Sequence, residues 1–338
     1  MFDEKYLDDI LSSPSTGLIE DFKKLDGDIM ILGAGGKVGP QLALMAKRAV
    51  EAAGGNKRVI AVSRFSDPYV VELLKNNQVE MISADLTDPK QVNALPKVQN
   101  IIYMVGRKFG TSSQAGDTWM MNAGVPTLVT SHFGAARYVV FSTGNVYPLS
   151  DLSHGGSLET DPVGPVGEYA MSSLGRERIF EYAAHHMGAK VLMFRLNYAI
   201  DLRYGVLCDI ANNILAKNPI SVRTPCFNCV WQGYVNEVAL RSLLLAHENV
   251  EYLNITGPET VSVRVAAEKL GALLGEEPIF DGEETNQALL SNASKCIGHF
   301  GYPAYGVEQL IKWQAEWLKD GGRLLNKPTH FEERKGKF

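Results

Sequence analysis

The sequence predicts an α/β fold built on a doubly wound parallel sheet, and three observations lead to this class. Short, almost continuously apolar runs alternate with longer segments of helical periodicity over the first 200 residues. Glycines separate the first apolar run from the first long helix. Strands that are apolar on both faces belong to sheets covered by helices on both sides, so the alternation indicates parallel strands.

The predicted strands are apolar runs that end in small or polar residues. They are expected at 28–33, 58–63, 79–84, 100–105, 137–142 and 189–196. The helices between them begin at Asp-Pro pairs such as Asp67-Pro68 or stop at a glycine such as Gly54. We expect these helices at 38–54, 67–77, 88–95, 117–135 and 168–187.

Composition limits the classes of protein that fit. The chain of 338 residues has 33 Lys and Arg against 38 Asp and Glu, a net charge of −5, which argues against a nucleic-acid partner. No apolar run approaches the roughly 20 residues that a membrane helix needs, and the acidic start lacks a secretory core. With four cysteines, a reduced, cytoplasmic protein is expected. Cys226 and Cys229 lack further zinc ligands nearby, so no metal site is predicted.

The stretch GAGGKVG, residues 33–39, lies between the first predicted strand and the first long helix. Gly33 permits a sharp turn, Gly36 lets the backbone approach a pyrophosphate, and Gly39 lets the helix pack closely on the sheet. The helix N-terminus then faces the phosphates with its partial positive charge. The turn, with Lys37 and Val38, predicts dinucleotide binding in a Rossmann-type fold. The alternative is a glycine-rich turn in an unliganded domain.

The residues after the second and third strands bear on which dinucleotide binds. Ser63 and Arg64 stand where an acidic residue would favour NAD and an arginine would accommodate the NADP phosphate. NADP is therefore favoured slightly, and Asp67 keeps NAD open, as does an ordinary solvated role for Arg64. Asp85 is expected to receive the adenine amino group unless it caps a turn, and Leu86 beside it is counted with the cofactor-binding residues.

These signals divide the chain into parts. Residues 1–26 are expected to form a polar, helical N-terminal extension, and 27–200 the dinucleotide-binding domain. Residues 201–325 are expected to form mainly a smaller, discontinuous substrate-binding region interleaved with that domain, and 326–338 a tail. Beyond residue 200 the pattern predicts a strand at 251–256 and helices at 204–218, 236–249, 262–275 and 306–322.

Several further stretches resemble the extended short-chain dehydrogenase/reductase family, which comprises NAD(P)-dependent sugar epimerases and dehydratases. The resemblance runs from about residue 28 to residue 320. It implies the same sheet and a small-molecule substrate. Besides the glycine turn, it is carried by ADL after the third strand, NAGVPTLV from Asn122, VVFSTGNVYP at 139–148, EYAMSSLGRE at 168–177, RLNYAID, NITGPETVSV and SKCIGHFGYP.

The resemblance implies roles for individual residues. Thr143 falls on a hydroxyl that hydrogen-bonds the reacting oxygen, Tyr169 on the catalytic acid/base, and Asn122 on a structural or proton-relay asparagine. Substrate contacts are expected in the polar loop 145–165 and around Arg195 and Asn197. The helices at 117–135 and 168–187 correspond to those that the family packs together in a homodimer.

Ser173 occupies the position of the family's lysine, four residues after the tyrosine. None of the thirteen tyrosines in the chain has a lysine at that spacing. In the family this lysine binds the nicotinamide ribose, and its charge favours ionisation of the tyrosine. A substitute cation is the first account, with Arg176, Arg107 and Lys108 as candidates. Otherwise the tyrosine acts only as an acid or hydrogen-bond donor, or turnover is lost.

The function that follows is an NAD(P)-dependent, epimerase/dehydratase-like oxidoreductase that acts on a carbohydrate or sugar-acid substrate. Dehydration is least favoured, because STGN at the end of the fifth strand offers no acidic pair. Two alternatives stay open. One is a catalytically impaired NAD(P)-binding sensor or scaffold, and the other is a non-redox isomerase or lyase on the same fold.

Overall fold

A parallel sheet forms the centre of the computed structural model, which describes residues 3–108, 110 and 113–337. The apolar runs form strands, and short two-residue strands occur after the fifth long strand. In chain order the strands are β1 (Ile29–Leu32), β2 (Val59–Ser63), β3 (Glu80–Ser83), β4 (Asn100–Tyr103), β5 (Arg137–Thr143), β6 (Ser150–Asp151), β7 (Lys190–Leu196), β8 (Ala199–Ile200), β9 (Ile220–Ser221), β10 (Cys226–Phe227), β11 (Val230–Trp231), β12 (Glu251–Ile255), β13 (Val261–Ser262), β14 (Phe280–Asp281) and β15 (Gln287–Ala288).

Helices cover this sheet and fill much of the second half of the chain. The Asp-Pro starts are capped as expected; the Asp67 carboxylate accepts a hydrogen bond from the Tyr69 amide at 3.0 Å. No helix in the described ranges is both long and apolar enough to cross a membrane. The α-helices are α1 (Glu4–Ser12), α2 (Thr16–Lys24), α3 (Gly39–Ala52), α4 (Pro68–Asn76), α5 (Pro89–Asn93), α6 (Ala115–Trp119), α7 (Val125–Phe133), α8 (Gly167–Met187), α9 (Val206–Leu215), α10 (Gln232–Arg241), α11 (Val263–Leu274), α12 (Ser294–Phe300) and α13 (Val307–Lys319).

The strand order of the main sheet is β3-β2-β1-β4-β5-β7-β12, and all neighbouring strands run parallel. The chain moves outward in one direction from β1 to β3 and in the other from β4 to β12. The order therefore reverses between β1 and β4, where open α/β sheets bind ligands. The predicted doubly wound parallel sheet is confirmed, and its switch point lies beside Gly33.

Alternate residues of the central strands enter two separate cores. Ile29 and Ile31 pack with residues of α2, α3, α4 and α10, whereas Met30 and Leu32 pack with residues of α5, α7 and α8. Every residue of β1 and β4 is buried. Helices therefore cover both faces, as a parallel sheet requires.

The helix expected over 117–135 contains a wider turn that the sequence did not indicate. α6 runs directly into a π-helical turn, Met120–Gly124, which continues into α7. The Val125 amide donates to the carbonyl of Met120, five residues back, and Pro126 has no amide to donate. Such turns occur often at functional sites, and Asn122 within this one is 0% exposed.

The chain beyond residue 200 contributes to more than one core. β12 pairs with β7 at the edge of the main sheet, and α10 packs against α3. α9, α11 and α13 enclose a third core that includes Phe227 and Trp317. The N-terminal helices join the body as well, because Leu7 of α1 belongs to the third core and Phe22 of α2 to the first.

Candidate active site

The glycine turn follows β1 at the switch point of the sheet. Gly33 has a φ of +92°, a conformation that favours glycine. A Cβ at Gly33 would lie 3.0 Å from the backbone of Met104, which follows β4. The first glycine therefore lets the ends of β1 and β4 approach each other.

Gly39 allows α3 to pack closely on the turn, and Gly36 leaves the backbone open to a cleft. A Cβ at Gly39 would lie 2.5 Å from the carbonyl oxygen of Ala34, so only glycine lets α3 start this close to the turn. A Cβ at Gly36 would meet nothing nearer than 3.4 Å, and Gly36 lines a cleft. The exposed backbone before a helix N-terminus fits a dinucleotide's diphosphate.

This main cleft has a volume of about 470 Å³. The glycine turn forms one wall, and residues after β4, at the end of β5 and at the start of α8 form another. Segments remote in sequence close it, including Asp201 and Arg203 after β8 and residues 323–327 after α13. The predicted residues that line it are Gly33, Gly36, Lys37, Val38, Gly39, Arg107, Lys108, Tyr169 and Arg176.

A smaller inner pocket of about 160 Å³ adjoins the main cleft and shares Lys37, Lys108 and Tyr169 with it. Thr143 and Asn197 also line this pocket, so three residues predicted at the reacting end of the site lie together. Its remaining polar lining consists of Ser142, Asn145, Tyr198, Tyr204, Gln232 and Thr329.

Thr143 ends β5 with its hydroxyl turned into a local network. Its Oγ1 accepts hydrogen bonds from the Asn145 amide at 3.2 Å and from Asn145 Nδ2 at 3.1 Å. The side chain is 5% exposed. Because the hydroxyl oxygen already accepts twice from Asn145, its own proton is directed towards another acceptor.

Tyr169 lies in the first turn of α8, and one of the predicted cations, Lys108, approaches its ring. The Lys108 ammonium lies 5.9 Å from the centroid of the Tyr169 ring. Its Nζ donates to the carbonyl oxygen of Thr329 at 2.8 Å. Burial lowers the pKa of Lys108 to about 8, although Asp209 and Glu332 oppose this shift. A cation thus reaches the tyrosine from the end of β4.

Ser173 and Arg176 lie one and two turns further along α8. Ser173 is 0% exposed, and its Oγ has no hydrogen-bond partner in the described part of the chain. Arg176 donates from Nη1 to the Phe141 carbonyl at 2.7 Å and from Nη2 to Asn122 Oδ1 at 2.8 Å. Its guanidinium therefore joins the floor of the main cleft to the π-helical turn.

Asn122 ties that turn to the segment after β4. Its Oδ1 accepts from the Arg107 amide at 2.8 Å, and its Nδ2 donates to the Arg107 carbonyl at 3.0 Å and to Ser172 Oγ at 2.9 Å. The Arg107 side chain pairs with Asp117. Asn122 thus holds the backbone that carries Lys108, and the structural and proton-relay roles expected of it stay predictions.

Arg195 lines neither the main cleft nor the inner pocket. Its guanidinium makes two hydrogen bonds to the Glu177 carboxylate, of 3.0 and 2.7 Å, and a third of 2.7 Å to the Tyr147 hydroxyl. Glu177 also accepts from Ser142 Oγ at 2.5 Å. The two ions form a buried pair behind the site, a contact that sequence reasoning missed because it joins α8 to β7.

Of the residues expected at the adenosine end, Ser63, Arg64, Asp85 and Leu86 lie outside both cavities, whereas Asp67, which keeps NAD open, lines the main cleft. Asp85 accepts hydrogen bonds from the Thr87 amide at 3.0 Å and Thr87 Oγ1 at 2.7 Å, and these bonds lower its pKa. Asp85 thus caps this turn, and its expected contact with the adenine amino group stays a prediction. Ser63 lies against Gly35, whose Cβ would be 2.5 Å from Ser63 Oγ. Arg64 is exposed and Leu86 is buried.

A buried ionic cluster beside the main cleft was not predicted. Arg203 pairs with Asp201 at 2.8 Å and with Asp8 of α1 at 2.9 Å. Asp8 also accepts from Gln41 Nε2 at 2.9 Å and from the Tyr69 hydroxyl. No local sequence signal could have revealed this cluster, because Asp8 and Arg203 are 195 positions apart in the chain and meet only in the folded protein.

Comparison with known proteins agrees with this architecture. The model of the NAD dependent epimerase/dehydratase family matches residues 29–217, more than half of the chain. No curated protein sequence gives a match.

Solved structures resemble the fold at low sequence identity. MoeE5 in complex with UDP-glucose and NAD is 18% identical with a TM-score of 0.70, and covers 87% of this chain and 99% of that one. UDP-glucuronic acid 4-epimerase from Bacillus cereus, in complex with NAD and a fluorinated sugar nucleotide, is 14% identical with a TM-score of 0.71 and the same coverage. UDP-glucose 4-epimerase from Thermus thermophilus with NAD is 16% identical with a TM-score of 0.70, covering 86% and 99%.

The glycine turn at the switch point, the extent of the family match and the resemblance noted in the sequence agree with one another. The family is defined by dependence on NAD, so a nicotinamide dinucleotide is the cofactor that its fold serves. This chain belongs to the NAD dependent epimerase/dehydratase family.

Proposed function

We propose that this protein is an NAD(P)-dependent epimerase or reductase that acts on a nucleotide-linked sugar or sugar acid. One observation carries the proposal. Thr143 and Tyr169 line the same inner pocket, which opens into the cleft formed by the glycine turn. The neighbours that contain UDP-glucose or UDP-glucuronic acid support a sugar nucleotide as substrate.

The glycine turn would hold the cofactor. The backbone of Gly33, Gly36 and Gly39 and the N-terminus of α3 suit its diphosphate. When bound, the nicotinamide would supply a hydride acceptor or donor for a sugar carbon. NADP is slightly favoured because Arg64 is exposed where β2 ends, and an Arg64→Ala variant should then lose NADP affinity more than NAD affinity.

The side chains of the inner pocket would handle the sugar oxygen. Tyr169 would take the proton from the reacting hydroxyl or return it, and Thr143 would donate a hydrogen bond to the same oxygen. The double acceptance of Thr143 from Asn145 supports this donor role. Lys108 would replace the family's lysine, since a cation near a phenol favours its ionised form.

A homodimer would use the family's two helices. Four large hydrophobic side chains are exposed on these segments: Trp119 of α6 at 38%, Met120 of the π turn at 39%, and Met171 and Tyr182 of α8 at 40% and 60%. Exposed apolar side chains that cluster on one surface commonly mark an interface. We expect a dimer by light scattering and a shift towards monomer in Met171→Asp.

The test uses purified protein with NAD or NADP and a panel of sugar nucleotides. Coenzyme binding is measured by calorimetry. Hydride transfer is measured by the absorbance of reduced nicotinamide for a reductase, and by chromatography of the epimeric sugar nucleotides for an epimerase, which returns the hydride to its substrate. Turnover that falls at least about a hundredfold in Tyr169→Phe, with coenzyme affinity retained, supports the proposal. Tight coenzyme binding without hydride transfer for any substrate favours the binding-only alternative. Product formation without coenzyme favours a lyase or isomerase that does not use it.

A further inference from the structure

The charged side chains that line the inner pocket are all positive. Two ammonium groups line it, from Lys37 of the glycine turn and Lys108 after β4. No Asp or Glu lines it among the described residues. A pocket with two cations and no lining carboxylate favours an anionic occupant.

Gln232 is a second observation that points to a ligand. It opens α10, lines the inner pocket and is 2% exposed. Its Nε2 has no hydrogen-bond partner within the described ranges. A buried donor without an acceptor is costly, so such a group indicates an acceptor that the protein itself does not supply.

The charge of Lys108 disfavours the charged form of Lys37. The Lys37 Nζ lies 3.2 Å from the centroid of the Tyr204 ring. Burial lowers the pKa of Lys37 to about 7, and the charges of Lys108 and Lys327 add to this shift. The charge of Asp209 opposes this shift, but Asp209 does not line the pocket. Its carboxylate accepts hydrogen bonds from the Thr329 amide at 2.7 Å and from Thr329 Oγ1 at 2.5 Å.

The other titratable and charged groups near these lysines come from each adjoining element. They are Arg107 after β4, Tyr169 of α8, Tyr198 and Tyr204 after β7, Asp209 of α9, and Lys327, His330 and Glu332 of the tail. None of the arginine and lysine residues in this list lines the inner pocket, where the described cationic side chains are Lys37 and Lys108.

We propose that the inner pocket binds a sugar unit that carries a carboxylate, which is held by Lys37, Lys108 and Gln232. This deepens the proposed function and rests on it. The pocket also holds Thr143 and Tyr169, so the group that enters it is the reacting sugar rather than the phosphates of a nucleotide. Three donors around one carboxylate satisfy both of its oxygens.

The coenzyme diphosphate is the other anion within reach of the glycine turn, and the experiment separates the two sources. Calorimetry on coenzyme-loaded protein compares UDP-glucose with UDP-glucuronic acid, which differ in the carboxylate. We expect the acidic compound to bind about tenfold more tightly or better, since hydrogen bonds to a charged group are strong. Equal affinity, or no binding of the acidic compound, overturns the proposal.

Variants assign the preference to the three donors. Lys37→Met, Lys108→Met and Gln232→Leu should each reduce the ratio of acidic to neutral affinity, whereas Lys24→Met, at an exposed position of α2, should leave it unchanged. If Lys37→Met instead weakens coenzyme binding and leaves the ratio intact, the lysine serves the diphosphate and the proposal fails. Coenzyme affinity of the unmodified protein, measured first, tests the proposed function separately. Thermal unfolding checks that each variant is folded.

Discussion

The ammonium of Lys108 lies 5.9 Å from the centroid of the Tyr169 ring, although the two residues belong to different segments of the chain. Lys108 follows β4 and Tyr169 opens α8. The family's lysine stands on the same helix as the tyrosine, but here that helical position is Ser173. A cation from another element therefore lies near Tyr169, through a contact that no helical spacing encodes. Its role in place of the family's lysine stays a prediction.

Replacing Lys108 should impair turnover through the tyrosine. In Lys108→Met we expect kcat for a neutral sugar to fall by about tenfold to a hundredfold, because the cation no longer favours the phenolate. Burial lowers the pKa of Lys108 to about 8, so the activity of the unmodified protein should decline as the pH rises past about 8, and this decline should be weaker in Lys108→Met. Lys108→Arg should recover part of the rate. An unchanged profile in Lys108→Met would show that the charge does not act on Tyr169.

Gly39 should tolerate no side chain. A Cβ there would lie 2.5 Å from the Ala34 carbonyl oxygen, so Gly39→Ala should destabilise the protein by about 1–3 kcal/mol and weaken coenzyme binding. Gly116→Ala is the matched control, because nothing lies within 4 Å of its Cβ. That variant, within helix α6, should be neutral or stabilising by up to about 1 kcal/mol. Denaturant unfolding and coenzyme calorimetry measure both effects.

Removing one partner of the buried pair Glu177–Arg195 should reduce the free energy of unfolding more than replacing both partners by apolar side chains. Glu177→Ala leaves the Arg195 charge buried without its partner, and we expect a loss of about 3–5 kcal/mol in the free energy of unfolding. The double variant Glu177→Leu/Arg195→Met should recover much of this loss, because no uncompensated charge remains. If the double variant is less stable than Glu177→Ala, the pair contributes more than its electrostatics.

Binding of the acidic sugar should depend on pH in the direction set by the two lysines. Burial lowers the pKa of Lys37 to about 7 and of Lys108 to about 8, so both are charged at low pH and lose their charge as pH rises. The sugar carboxylate is ionised throughout this range. Affinity for UDP-glucuronic acid should therefore be greatest below about pH 7 and fall between about pH 7 and 9.

Two controls accompany this titration. UDP-glucose affinity should vary less over the same range, because it carries no carboxylate to pair with the lysines. Lys37→Met should leave only the part of the decline that Lys108 causes, at the higher pH. An affinity for the acidic sugar that is constant from about pH 6 to 9 would contradict the assignment of the lysines.

Sequence reasoning was most successful where a feature depends on neighbours in the chain. Hydrophobic runs located every long strand, and the glycine turn located the switch point, because both follow from local conformation. The resemblance predicted that Thr143 and Tyr169 act at one site, and both residues line the inner pocket. Their catalytic roles stay predictions. Arg195 was expected near the substrate, but the structure joins it to Glu177.

Features that depend on packing between distant segments were not predictable. The sequence offered three cations in place of the missing lysine, and only the fold distinguishes them. Arg176 is bonded to Phe141 and Asn122, Arg107 pairs with Asp117, and Lys108 approaches the tyrosine. The side chain of Lys37 was likewise counted only with its turn, since its contact with Tyr204 depends on the chain after β8.

The bond from Lys108 to the carbonyl of Thr329 spans 221 positions of sequence. The main sheet takes no strand from the segment after α13, whereas Phe331 of that segment packs in the third core beside Phe227. Cutting the chain after α13 would therefore leave the parallel sheet with all of its strands. It would remove the oxygen that holds Lys108 beside the ring, together with one apolar side chain of the third core.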